Sequence, residues 1–83
     1  MRLRTSTKRR IIRVKEILYV IYDVFDESEL YYDLLVWMDS QFGGVKPTKR
    51  AVLDIEGDLI EVEFMLTKEQ LVSMKLAWGD HFN

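Results

Sequence analysis

Leu30, Leu34, Trp37, Met38 and Phe42 recur every three or four residues and stop at Gly43-Gly44. Only a helix gathers that spacing into one apolar stripe, and a glycine in the left-handed region is a common way to end one. The pattern predicts a helix from Glu27 to Phe42, opened by Asp26 and Glu29 as a capping box. Its stripe has to be buried under elements drawn from the segments on either side.

After the loop Val45-Lys46-Pro47-Thr48-Lys49, the chain reads as a β-hairpin with Gly57-Asp58 at a two-residue primed turn. That turn pairs Ile55 with Ile60, Leu53 with Val62 and Ala51 with Phe64 on one apolar face. It also sets Asp54 opposite Glu61, with Glu56 and Glu63 flanking them. Thr67 and Gln70 form a capping box for a last helix that runs to Trp78 and ends at Gly79.

Before the first stripe, Met1 to Thr7 alternates Arg2, Arg4 and Ser6 with Leu3, Thr5 and Thr7, the period of a short edge strand. From Lys8 to Phe25, Ile11, Val14, Leu18, Ile21, Tyr22 and Phe25 fall three or four apart, which predicts an amphipathic helix. A strand competes for the same segment, because Ile11, Ile12, Val14, Ile17, Val20, Ile21 and Val24 are β-branched. The helical reading gives an α+β fold: a short N-terminal strand, two helices, a β-hairpin, and a C-terminal helix packed on a small antiparallel sheet. Residues 1–83 form a single domain in that reading, with residues 1–15 a basic N-terminal arm leading into the first helix. No internal repeat is visible.

Composition bounds the class. With 48% hydrophobic and 12% aromatic residues the chain can build a core, although a domain of this size buries only roughly 60 to 65% of its unfolded surface. The absence of cysteine excludes a disulfide framework and a thiolate metal site, and fits a reducing compartment such as the cytoplasm. No apolar run approaches the roughly 18 residues that span a bilayer. The basic N-terminus is followed by mixed charged and apolar residues, so a soluble, unprocessed chain with no membrane partner is expected.

The formal net charge of −2 conceals a sorting of charge into blocks. Arg2, Arg4, Lys8, Arg9, Arg10, Arg13 and Lys15 come first, with no acid among them. Glu16, Asp23, Asp26, Glu27, Glu29, Asp33 and Asp39 follow, with no Lys or Arg until Lys46. Lys46, Lys49 and Arg50 then precede Asp54, Glu56, Asp58, Glu61 and Glu63. Blocks of one sign attract charged surfaces and accelerate encounter, so the segregation concerns partners.

Catalytic chemistry finds little support. His81 is the single histidine, beside Gly79 and close to the chain end, where no rigid frame for a general base is expected. Asp54, Glu56 and Glu61 offer oxygen ligands for magnesium, but no phosphate-cradling glycine loop accompanies them. Gly43-Gly44 reads as a helix stop. The expectation is a non-enzymatic protein without metal or cofactor.

The acids have more content. Glu27, Glu29, Tyr31, Tyr32 and Asp33, with Asp54, Glu56, Glu61 and Glu63 on the hairpin, combine rigid rings with carboxylates, an interface composition that selects a basic protein. Arg2 and Arg4 could instead neutralise the hairpin acids within the chain. The rival signal is nucleic-acid binding through Arg2, Arg4, Lys8, Arg9, Arg10 and Arg13, joined by Lys46, Lys49 and Arg50. It would act through phosphates without reading sequence, because the central helix carries acids and no base. A third arrangement is a homo-oligomer in which the basic arm of one subunit lies on the acidic face of another. In size and composition the chain resembles phage-encoded inhibitors of host enzymes or defence systems, anti-CRISPR proteins among them. That resemblance implies a small protein-binding regulator or inhibitor, and the acidic, Tyr-rich surface directs it at a basic or nucleic-acid-binding protein.

Overall fold

The computed structural model describes residues 1–9 and 14–82. Two successive hairpin–helix units make up these residues. The first is β1 (Arg2–Arg9), β2 (Val14–Asp23) and α1 (Ser28–Phe42); the second is β3 (Pro47–Val52), β4 (Leu59–Leu66) and α2 (Lys68–Ala77), followed by a 3-10 turn at Gly79–His81. The expected fold is corrected at one element, and the topology changes with it. The segment assigned to a first helix over Lys8 to Phe25 supplies strand β2 instead. Ile11 and Ile12 of that segment lie outside the described residues.

The physical reason is in the burial. A helical stripe would have buried Val14, Leu18, Ile21, Tyr22 and Phe25 together, yet Val14 and Phe25 are exposed. Ile17, Leu18, Val20 and Tyr22 are buried; the last three, at the spacing of a strand, each face a buried partner on β4: Phe64, Val62 and Ile60. Two pairing neighbours give β-branched residues the pleated, covered surface that suits them.

The sheet is antiparallel with the order β1-β2-β4-β3. The two hairpins meet along β2 and β4, where Val20 stands directly across from Val62. A half-turn about an axis normal to the sheet between these two strands exchanges β2 with β4 and β1 with β3. The fold is thus two ββα units in a two-fold arrangement that the sequence does not display as a repeat. Leu34 and Met38 of α1 and Leu71 and Met74 of α2 share one core with Leu3 and the inward residues of β2 and β4. Both helices therefore cover the same face. Isolated contacts close the lower end of that core: Phe82 bridges to Leu3, and the His81 ring donates from Nδ1 to the Met1 carbonyl oxygen at 3.2 Å.

The second hairpin is shifted from its expected register. Ile60 faces Val52 and not Ile55, Val62 faces Arg50, and Glu61 faces Ala51. The connection is a six-residue loop, Leu53 to Asp58, in which Gly57 donates its N–H to the Asp54 carbonyl oxygen at 3.3 Å and adopts φ 78°. The Asp54 carboxylate accepts the Leu59 N–H at 3.1 Å, so the aspartate organises its own turn. A slip of three residues is odd, and it reverses which residues of β3 look outward. The expected opposition of Asp54 and Glu61 is absent.

The helix ends follow the sequence in part. Thr67 and Gln70 form the reciprocal cap of α2, and Gly43 ends α1 at φ 72°. The Asp26–Glu29 box does not form: Glu27 occupies the N-cap position without a side-chain cap bond. Its carboxylate turns back to accept the Asp23 N–H at 2.9 Å and to pair with the Met1 ammonium. The Asp23 carboxylate in turn accepts the N–H groups of Phe25 and Asp26 at 2.8 and 3.1 Å. Among the described residues, no helix is long and apolar enough to cross a membrane.

Candidate functional site

Antiparallel pairing gathers most of the charge blocks of the sequence at two ends of the molecule, although Arg2 and the Met1 ammonium fall at the acidic end and Glu16 at the basic one. Where β1 runs out and β2 begins, Lys8 stands across from Lys15 and Arg9 across from Val14. Lys46 and Lys68 flank the same end, just before β3 and just after β4. At the other end, Asp23 closes β2 and faces Leu59 at the start of β4. The connections there carry Asp26, Glu27, Asp54, Glu56 and Asp58, and Glu29 lies in the first turn of α1.

That acidic end is built, not merely accumulated. The Val24 N–H donates to the Asp58 carbonyl oxygen at 2.7 Å, which ties the β2–α1 turn to the β3–β4 loop. Each tied segment presents an apolar side chain to solvent: Phe25 is 79% exposed and Ile55 fully so. Val52 and Leu53 are exposed beside Ile55 along the chain. On the first turns of α1, Tyr32 is 66% exposed and lines a shallow depression of about 400 Å³ with Ser28, Glu29 and Asp33.

The expected protein-binding residues separate into two groups. Glu29, Tyr32 and Asp33 share the depression, and Glu56 sits beside Ile55 on the loop tip. Glu27 and Asp54 lie at the same end but spend their carboxylates on the turn and the loop. Tyr31 is half-buried and stacks on Tyr22, with ring centroids 4.1 Å apart and planes 7° from parallel. Burial pushes its phenol above the ordinary value, and Tyr22 adds to the effect while Arg50 opposes it. Glu61 and Glu63 are elsewhere, on the face of the sheet that carries no helix.

On that face Arg4 reaches Glu61 at 3.3 Å and lies over the Tyr19 ring, 4.3 Å from its centroid. Glu63 stands across from Lys49. Of the hairpin acids, Glu61 is thus met by a cation of the chain itself, and Glu63 has Lys49 as its cross-strand neighbour without an ion pair between them. A shallow groove of about 290 Å³ lined by Arg4, Lys8, Tyr19, Lys49, Glu61 and Glu63 holds both signs of charge.

The expected nucleic-acid set is divided as well. Arg2, Arg4 and Lys8 alternate onto the helix-free face, and Arg9 falls on the opposite face of β1. Arg50, across from Val62, is on the helix side, where its charge is felt by Tyr31. Arg10 and Arg13 lie outside the described residues. The oxygen ligands Asp54, Glu56 and Glu61 do not converge, and among the described residues no group of three His, Cys, Asp or Glu could hold a metal ion.

Phe25 and Ile55 were missed as surface residues because each fits an apolar pattern: Phe25 extends a helical stripe, and Ile55 completes an apolar hairpin face. The signal that distinguishes them is their position among turn formers, Asp23 to Ser28 for one and Asp54 to Asp58 for the other. No protein-family model, curated protein or solved structure matches this chain.

Proposed function

We propose that the acidic end is a binding surface for a protein with a basic patch, and that the protein works as a non-enzymatic regulator or inhibitor of that partner. The observation that carries this reading is the pair of exposed apolar residues, Phe25 and Ile55, held on two tied connections within a field of carboxylates. Exposed large apolar side chains scattered singly need no explanation, whereas a fixed group with a charged rim has the make-up of an interface centre. Tyr32 adds an aromatic side chain with a hydroxyl that can meet water or a donor. Glu29, Asp33 and Glu56 supply the charge that steers a cationic surface inward.

Photo-crosslinking residues placed at positions 25 and 55, with one at Lys75 on α2 as control, test the reading in nuclease-treated lysate of the source cell. Discrete protein adducts from 25 and 55, and none from 75, support it. Adducts that come equally from all three sites remove the claim of a localised surface.

A second reading rests on Lys8 facing Lys15, a like-charge pair that an anion would relieve. In that reading the basic end contacts nucleic-acid phosphates without sequence preference. Binding that falls steeply with salt and disappears on replacing Lys8, Arg9 and Lys15 with Ala would support it over the first.

A further inference from the structure

We infer that the helix-free face of the sheet is covered by a second copy of this chain, in an isologous dimer that places the cations of β1 over the carboxylates of β4. This is independent of the basic-partner reading, which concerns the acidic end of the molecule.

Strand β2 supplies the first observation. Ile17, Leu18, Tyr19, Val20, Ile21 and Tyr22 form an unbroken apolar run. A strand with one wet face alternates apolar with polar residues, and an unbroken run belongs to a strand covered on both faces. The helices cover Leu18, Val20 and Tyr22. Ile17, Tyr19 and Ile21 point the other way; Ile17 is already buried within the chain and Arg4 lies over Tyr19, while Ile21, with Ala51, Leu59 and Met65 across β3 and β4, is only partly covered. Both helices lie on the opposite face, so the apolar half of β2 that looks away from them has no helix over it.

Charge identifies the occupant. Along one row of the face, Arg4, Tyr19 and Glu63 lie side by side; along the next row, so do Arg2, Ile21 and Glu61. Cations occupy one flank of β2 and carboxylates the other, at the same heights. A half-turn about an axis running along β2 keeps those heights and exchanges the flanks. It sets Arg4 of one copy against Glu63 of the second and Arg2 against Glu61, twice over, with Tyr19 and Ile21 meeting their counterparts at the axis. Arg2 and Glu63 make no ion pair among the described residues, whereas Arg4 and Glu61, paired with each other within one copy, would exchange that pair for partners across the axis. Edge-to-edge pairing of copies is disfavoured, since β1 carries Arg2, Arg4, Lys8 and Arg9 and β3 carries Pro47, Lys49 and Arg50.

The size is adequate. Four strands about 4.8 Å apart and about 26 Å long present about 500 Å² per copy, or about 1,000 Å² in the pair. That is the lower edge of specific interfaces, the size range of weak, reversible association.

Sedimentation equilibrium over about 1 to 500 μM protein, at about 0.05 and 0.5 M salt, gives the test. The expected result is a reversible dimer that weakens with salt. The paired substitutions Arg2→Glu with Arg4→Glu, and Glu61→Arg with Glu63→Arg, should each weaken it about tenfold or more. Mixing the two variants in equal amounts should restore a dimer, because each then offers the charges the other has lost. A wild-type chain that stays monomeric throughout overturns the proposal. So does a dimer indifferent to both reversals, or a mixture that remains monomeric. If either variant fails to fold, methyl NMR of the wild type on dilution decides the matter. Shifts gathered at Ile21, Leu59 and Met65 support the face, and shifts gathered elsewhere overturn it.

Discussion

The Val24 N–H and the Asp58 carbonyl oxygen, 2.7 Å apart, join the turn that ends the first hairpin to the loop of the second. Through that one hydrogen bond, residues 34 positions apart in sequence (58 minus 24) present Phe25 and Ile55 from a common base. The acidic end is therefore a defined surface, and its exposed residues can be changed without touching the core.

Replacing Phe25 and Ile55 with Ser should leave the fold almost untouched. Neither side chain is buried, and substitutions at such positions change stability by about 0.5 kcal/mol or less. Thermal unfolding of the double variant followed by circular dichroism checks this. A loss of several kcal/mol would mean that the two side chains pack against something in solution.

Leu3 gives the opposite expectation. It is fully buried within β1 and faces Val20, so the N-terminal residues belong to the sheet and do not form a dispensable arm. Leu3→Ala should cost about 2 to 5 kcal/mol by urea unfolding, a large part of the margin of a domain this small. An unchanged unfolding midpoint would show that β1 is detached.

Tyr31 links stability to pH. Its folded-state phenol titrates above the ordinary value, chiefly because of burial, so the folded state holds the proton more tightly than the unfolded chain does. The contribution is present in full below about pH 10 and is lost as pH rises through the folded-state value. Stability should therefore fall on the alkaline side, and Tyr31→Phe, which keeps the ring against Tyr22, should flatten that fall. Identical alkaline slopes for the two proteins would dissociate Tyr31 from it.

Gly57 tests the corrected loop. It sits at φ 78° with open space where a Cβ would project, so the cost of Gly57→Ala comes from backbone strain alone. About 1 to 2 kcal/mol of destabilisation is expected. A neutral substitution would favour a loop without this turn.

Local signals were the legible part of the fold. The α1 stripe with its Gly43 stop and the Thr67–Gln70 cap depend on residues within a few positions of one another, and both were readable. What failed depended on partners far along the chain. The segment containing Leu18, Val20 and Tyr22 satisfies a helical and an extended spacing at once, and only pairing with β4, about forty residues away, makes it a strand. The hairpin register failed for a local reason. Gly57-Asp58 alone reads as the whole turn, whereas the Asp54 carboxylate draws Leu53 to Asp58 into a longer loop. Of the candidate surface, Glu29, Tyr32, Asp33 and Glu56 were legible as exposed acids and an aromatic. Glu61 and Glu63 were not separable from them until the sheet assigned them to another face.

The most direct measurement is the affinity of the crosslinked partner, once purified, for the wild type and for the Phe25→Ser, Ile55→Ser double variant, by calorimetry at about 0.15 and 0.5 M salt. Loss of these two side chains should weaken binding by about 2 kcal/mol or more, as removal of a desolvated centre does, while salt alone has the smaller effect. Equal affinities for the two proteins would contradict the account and move the interface away from the acidic end.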